Sequence, residues 1–216
     1  MADKRRLIVA LTGASGIVYG VKALEVLRAV EDIETHVVIS PAAARTALAE
    51  LDMGLDAIKA LADRIYSHKD IGASISSGSF TTVGMLVAPC SVKTLSGIAN
   101  SYNDDLVVRA ADVCLKERRR VVLLFRETPF HAGHIDLMAR ADRNGAIIMP
   151  PVPAFYARPA TLDDMVTQTV GRALDLFGLH LPSVKRWTEE PTETGPGEGE
   201  APDEPAGGDG KSNGGA

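Results

Sequence analysis

Apolar residues fall along this chain in two rhythms. Residues 7–11 (Leu-Ile-Val-Ala-Leu) and 121–125 (Val-Val-Leu-Leu-Phe) are unbroken apolar runs, the pattern of strands covered on both faces. Residues 35–39 and 85–88 repeat it, the second breaking at Pro89-Cys90-Ser91, and residues 146–149 give a last strand stopped by Pro150-Pro151. Between strands the rhythm changes: Ile17, Val21, Leu24 and Leu27 recur at spacings of three and four, a helical stripe that packs back onto a sheet. Ser40-Pro41 offers an N-cap with proline in the first turn of a helix running past Leu48. Further helices are expected over about 91–98, 105–118 and 135–143, the last closed by Asn144-Gly145. The run Thr161-Leu162-Asp163-Asp164 resembles a capping box and opens a helix that ends at Gly178. Residues 52–66 predict a short helix and a short strand, and residues 74–82 a loop rich in Ser, Gly and Thr. Apolar strands alternating with amphipathic helices predict one α/β domain with a doubly wound, mostly parallel sheet of Rossmann or flavodoxin-like type.

Charge divides the chain. From Glu189 onward eight acidic residues face only Lys211, so this segment carries −7 of the net −5 and the body before it carries +2. Residues 1–188 are therefore expected to form the folded domain. Residues 189–216, rich in Gly, Pro, Glu and Asp, are expected to be a disordered tail, because they offer too little apolar surface to offset their ordering entropy. A nearly neutral body argues for a small anionic ligand rather than a nucleic-acid track. No apolar run approaches the roughly 20 residues of a membrane span. Two cysteines, Cys90 and Cys114, lack zinc-ligand or disulfide-framework spacing, and residues 1–6 hold no signal peptide; the cytoplasm is the expected location.

Ligands of such sheets bind beyond the carboxyl ends of the strands, which selects four segments: Gly13 to Gly16, Ser40, Pro89 to Thr94, and Arg126-Glu127. Gly13-Ala14-Ser15-Gly16 lies between strand and helix, where glycine lets an anion approach and the helix N-terminus offers N–H donors. A nicotinamide-dinucleotide fingerprint is the rival reading, yet the second strand ends in Ser40 rather than in a ribose-binding acid, and no Tyr is followed four residues later by Lys. No GxxxxGK[ST] loop is present. Pro89-Cys90-Ser91-Val92-Lys93-Thr94 is a second strand-to-helix turn, suited to an anion or a flavin ring edge or to simple helix capping. Arg126-Glu127 follows a buried strand directly, where solvation alone explains a charge poorly. Arg109 and Lys116 lie two helical turns apart, placed to meet a phosphate or solvent. His131 and His134 have no third ligand nearby in sequence, and Cys90 reads as a packing residue.

These segments, with Arg109-Ala-Ala-Asp-Val-Cys-Leu-Lys-Glu-Arg118, Arg126-Glu-Thr-Pro129 and Pro153-Ala-Phe-Tyr156-x-x-Pro159, together resemble the UbiX-like flavin prenyltransferase family over about residues 7–187. The resemblance implies a metal-independent transferase that moves the dimethylallyl group of dimethylallyl phosphate onto N5 and C6 of reduced FMN. The product, prenylated FMN, would serve a separate UbiD-like decarboxylase. It implies that Gly13, Ala14, Ser15, Ser40, Ser91, Val92, Lys93, Thr94 and Arg126 bind FMN, and that Arg109, Lys116, Tyr156 and Arg172 hold the prenyl phosphate. It further implies that Ser15 and Glu50 manage a proton at flavin N5, that Lys116 and Glu127 act on the leaving phosphate, and that the chain assembles into a dodecamer built from trimers, in which Arg126 and Glu127 reach a neighbour's site. Phe125 stands where many relatives carry proline, a departure expected to alter only the strand end.

The chemistry suits the residue types. Ionising an allylic phosphate builds negative charge on the departing oxygen, which calls for cations and a proton donor. Arg, Lys and Tyr can hold a monophosphate, and no DDxxD magnesium motif is present. Two alternatives share the fold. FMN-dependent cysteine decarboxylases place a histidine after the third strand, where His68 stands, but Ala73-Ser74-Ile75-Ser76-Ser77-Gly78-Ser79 follows the prenyltransferase form. The other is a noncatalytic FMN-binding accessory subunit of a decarboxylase.

Overall fold

The computed structural model describes residues 4–186; the expected acidic tail at 189–216 lies outside the described residues. The elements follow in the order β1 (Arg5–Leu11), α1 (Ile17–Leu27), β2 (Ile33–Ile39), α2 (Pro41–Glu50), α3 (Leu55–Lys59), β3 (Arg64–Tyr66), β4 (Gly84–Cys90), α4 (Val92–Ala99), α5 (Leu106–Lys116), β5 (Arg120–Phe125), α6 (Ala132–Arg143), β6 (Ala146–Ile148) and α7 (Leu162–Asp175). The strands form one six-stranded parallel sheet in the order β3-β2-β1-β4-β5-β6. The period-two alternation of a strand sends Leu7, Val9 and Leu11 of β1 into a core shared with α1, α2, α3 and α7, and Ile8 and Ala10 into one shared with α4, α5 and α6. Both faces are covered, so the inner strands can be apolar throughout.

Local sequence sets most boundaries. Ser40, Ser91, Asp105 and Thr161 each accept a hydrogen bond from an N–H in the first turn of the helix that follows, and Asp164 completes the capping box at Thr161. Of the boundaries that differ from the sequence reading, three have a clear local feature behind them. β4 does not break at Pro89 but runs to Cys90, because a register shift after Val87 absorbs the residue that cannot donate and realigns Cys90 with Phe125. α6 starts at Ala132, not Ile135, because the His131 ring accepts from the Gly133 N–H. α7 ends at Asp175, and Gly178 takes the left-handed backbone just beyond it.

The strand order reverses direction between β1 and β4. That point is where doubly wound sheets open a crevice, and the turns after β1 and β4 flank it.

Candidate functional site

Thr12 joins the two crevice turns. Its hydroxyl is fully buried, donates to the Pro89 carbonyl (2.7 Å) and accepts from the Ser91 N–H (2.9 Å). One side chain at the end of β1 thus fixes where α4 begins. We expect Thr12→Val, which keeps the shape and removes both bonds, to weaken FMN binding about tenfold, the scale of one or two buried hydrogen bonds. Thr12→Ser should retain wild-type affinity. A flavin-fluorescence titration in which the valine variant matches wild type would show that the bridge does not set the site.

The β1–α1 turn corrects the sequence reading at one point. The helix N–H groups of Gly16 and Ile17, expected to receive an external anion, donate instead to the Glu50 carboxylate at the end of α2, at 2.8 and 3.0 Å. Burial pushes the Glu50 pKa up, but the Ser15 hydroxyl, those two N–H groups and the nearby Arg126 charge outweigh it, and the carboxyl is held below its ordinary range. Glu50 is an anion seated on a helix N-terminus.

The other strand ends converge on the same space. Ser40 accepts from Ala43 N–H (3.1 Å), and its own N–H donates to the Leu11 carbonyl (3.0 Å), tying the start of α2 to β1. Ser91 and Thr94 share a hydroxyl contact of 3.1 Å, and the Arg126 N–H donates to the Cys90 carbonyl (3.1 Å). Lys93 sits between Asp104 (3.2 Å) and Asp105 (3.3 Å). Partial burial pulls its pKa down, but the two carboxylates win and raise it, so its charge is already partnered. Glu127 accepts from the Thr128 N–H at 2.9 Å. Burial raises the Tyr19 pKa against the pull of Arg126.

Together these turns enclose a cavity of about 760 Å³, a size suited to a mononucleotide. Gly13, Ala14, Ser15, Ser40, Ser91, Val92, Lys93, Thr94 and Arg126 all line it, and so does Glu127. The backbone N–H groups, four hydroxyls and Arg126 guanidinium of these residues fit a flavin mononucleotide. Arg109, Lys116, Tyr156 and Arg172 do not line this cavity: Arg109 pairs with Asp112, Lys116 with Glu117 and Arg172 with Asp175, while Tyr156 lies near Gln168 (3.5 Å). Arg45, His68, Lys69, Asp104 and Asp105 line it without having been assigned to it from sequence. Arg45 stands one helical turn past Pro41, a spacing that points to the same face. His68 and Lys69 follow the carboxyl end of β3, where the strand-end rule applies once that short strand is placed. Among the described residues no group of three or more His, Cys, Asp or Glu is arranged to hold a metal ion. No helix among them is long and apolar enough to cross a membrane.

A doubly wound sheet with a mononucleotide-sized crevice at its switch point, rimmed by hydroxyls and two arginines, defines a nucleotide-binding α/β protein of flavoprotein type. The family model "Flavoprotein" matches residues 1–173. Flavin prenyltransferase UbiX of Escherichia coli (strain K12) is 58% identical over 185 residues, 85% of this chain and 98% of that protein. The crystal structure of AnUbiX (PadA1) in complex with FMN and dimethylallyl pyrophosphate superposes with a TM-score of 0.84 at 47% identity, covering 86% of this chain and 98% of that one. A dodecameric FMN-dependent UbiX-like decarboxylase from Escherichia coli O157:H7 gives 0.83 at 48% identity, over 85% and 99% of the two chains. The chain belongs to the UbiX-like flavin prenyltransferase family.

Proposed function

We propose that this protein is a flavin prenyltransferase that moves a dimethylallyl group from dimethylallyl phosphate to FMN, making the prenylated cofactor of a UbiD-like decarboxylase. The carrying observation is that the nine residues assigned to FMN, together with Glu127, line one cavity. Reduced FMN, when bound, supplies the electron-rich N5 and C6 that accept the allyl group. Gly13, Ala14 and Ser15 would hold it from the β1 side, Ser40 from β2, Ser91, Val92, Lys93 and Thr94 from β4, and Arg126 from β5. Ser15 and Glu50, in mutual hydrogen bond, would hold or move a proton beside the ring. Glu127 would give a proton to the departing phosphate. Arg109, Lys116, Tyr156 and Arg172 lie outside this chain's own cavity, which supports a site completed by neighbouring copies in a trimer-based dodecamer. Two unpaired buried thiols support a cytoplasmic setting.

The test uses the protein with reduced FMN under anaerobic conditions, in EDTA, with dimethylallyl monophosphate or diphosphate. The expected result is a bound flavin heavier by one dimethylallyl group, with altered absorbance, formed from the monophosphate without magnesium or any partner. An unaltered flavin in a single turnover would leave only a carrier. Release of carbon dioxide from a peptidyl-cysteine substrate would instead favour a decarboxylase using His68.

A further inference from the structure

The segment between β6 and α7 carries Tyr156 on a short 3₁₀ turn, Phe155–Ala157. Pro150, Pro151, Pro153 and Pro159 interrupt this segment, and none has an N–H to give to a ladder or a helix. Packing anchors the turn at Ala157, which is buried, while Phe155 and Tyr156 stay 72% and 49% exposed. A cavity of about 360 Å³ lies between the turn and α7, with Pro159, Ala160, Thr167 and Ser183 among its walls. Arg158, next in the chain, takes the left-handed backbone at φ 48°, a conformation that a non-glycine residue keeps where its surroundings hold it.

Two side chains span that space. Gln168 of α7 is 5% exposed. Its amide oxygen accepts from the Lys185 N–H (3.0 Å) and its amide nitrogen donates to the Lys185 carbonyl (2.7 Å), with the Tyr156 hydroxyl 3.5 Å from the same nitrogen. A side-chain amide that pairs with both backbone groups of one residue copies the reciprocal bonds of a strand pair and fixes that residue's position and orientation together. Lys185 then reaches back, its Nζ donating to the Ala157 carbonyl at 2.7 Å. Neither Gln168 nor Lys185 lines the FMN cavity. We infer that the two form a clamp that sets where the Tyr156 turn stands, which makes Gln168 a positioning residue for the prenyl phosphate and not for FMN. The inference rests on the proposed phosphate role of Tyr156.

The full-length protein loaded with reduced FMN tests it. With dimethylallyl monophosphate, Gln168→Leu and Lys185→Met should each raise KM about tenfold, the scale of a phosphate contact weakened by one hydrogen bond, with kcat and FMN affinity within about twofold of wild type. Lys185→Arg still carries a donor and should restore the wild-type KM, which a general loss of folding would not allow. Amide hydrogen exchange reads the clamp without substrate. The Ala157 and Arg158 amides donate within the turn, to the carbonyls of Ala154 and Phe155. In both clamp variants they should exchange at least about tenfold faster, with β1 unchanged. Lys185 is exposed, so its methionine variant keeps the test open if Gln168→Leu does not fold. Wild-type exchange or a wild-type KM in Lys185→Met would overturn the inference. Tyr156→Phe separates the two readings. If it leaves KM unchanged, the phosphate role of Tyr156 falls and the positioning role falls with it. If it raises KM while exchange in Lys185→Met stays at the wild-type rate, the clamp alone falls.

Discussion

Glu127→Gln is expected to slow prenyl transfer about a hundredfold, the scale of lost general acid catalysis, while FMN affinity stays within about twofold of wild type. Glu127 follows β5 directly and lines the cavity, and its carboxyl accepts from the Thr128 N–H, so the amide keeps both the shape and that anchoring bond. Under the proposed acid role, what it removes is the proton for a leaving phosphate oxygen as its charge develops. A contact made only in the transition state lowers turnover and not ground-state binding. Lys116→Met should produce a similar loss, although Lys116 stands outside the cavity of its own chain. If neighbouring copies complete each site, mixed oligomers of the two variants will recover activity that neither has alone. Loss of FMN binding in Glu127→Gln, or normal turnover at saturating FMN, would remove the acid role.

Gly20→Ala is expected to cost about 2–3 kcal/mol, the usual scale of overpacking, and to lower Tm by about 4–12 °C in a chain of this size. Alanine favours a helix over glycine by about 1 kcal/mol, so the sign depends on the space available. A Cβ at Gly20 would fall 2.3 Å from the Ala88 carbonyl oxygen and 2.7 Å from Leu11 Cγ. The first obstacle is backbone of a fully buried strand, which cannot swing aside as a flexible side chain would. α1 must therefore shift, and the Gly13-Ala14-Ser15 turn shifts with it, so FMN affinity should fall alongside stability. A melting curve within about 1 °C of wild type, the range of a neutral surface change, would show that the helix accommodates the methyl group.

Much of this architecture is local and therefore legible. The apolar run at 7–11 could only be a doubly covered strand, and Ser40, Ser91, Asp105 and Thr161 carry their capping chemistry in their own side chains. The start of α6 was hidden because histidine is not among the usual caps. Its ring nitrogen does the work only in the geometry that His131 adopts. The strand-end rule gathered every residue assigned to FMN around one crevice, because it depends on topology, which the alternation of elements already encodes. Partners that arrive from elsewhere in the chain were not legible. Glu50 lies 34 residues from Gly16, and nothing near the turn indicates that its donors are already taken. Arg109, Lys116, Tyr156 and Arg172 were named for the prenyl phosphate, but among the described residues they do not line that cavity, so their meeting place could not be read from one chain's strand ends.

Cys90 sits immediately before the Ser91 turn, fully buried, with its thiol turned to the Ser91 carbonyl at 3.7 Å. Burial raises its pKa far above the usual thiol range, so no thiolate is available at neutral pH. The prenyl transfer proposed above would release an allylic fragment in the cavity that Ser91, the next residue, lines. A soft, ionised nucleophile there would capture the fragment and end the catalyst's working life after a single event. By keeping the sulfur protonated and dry, the packing at the end of β4 places no strong nucleophile directly behind the Ser91 turn that lines the cavity.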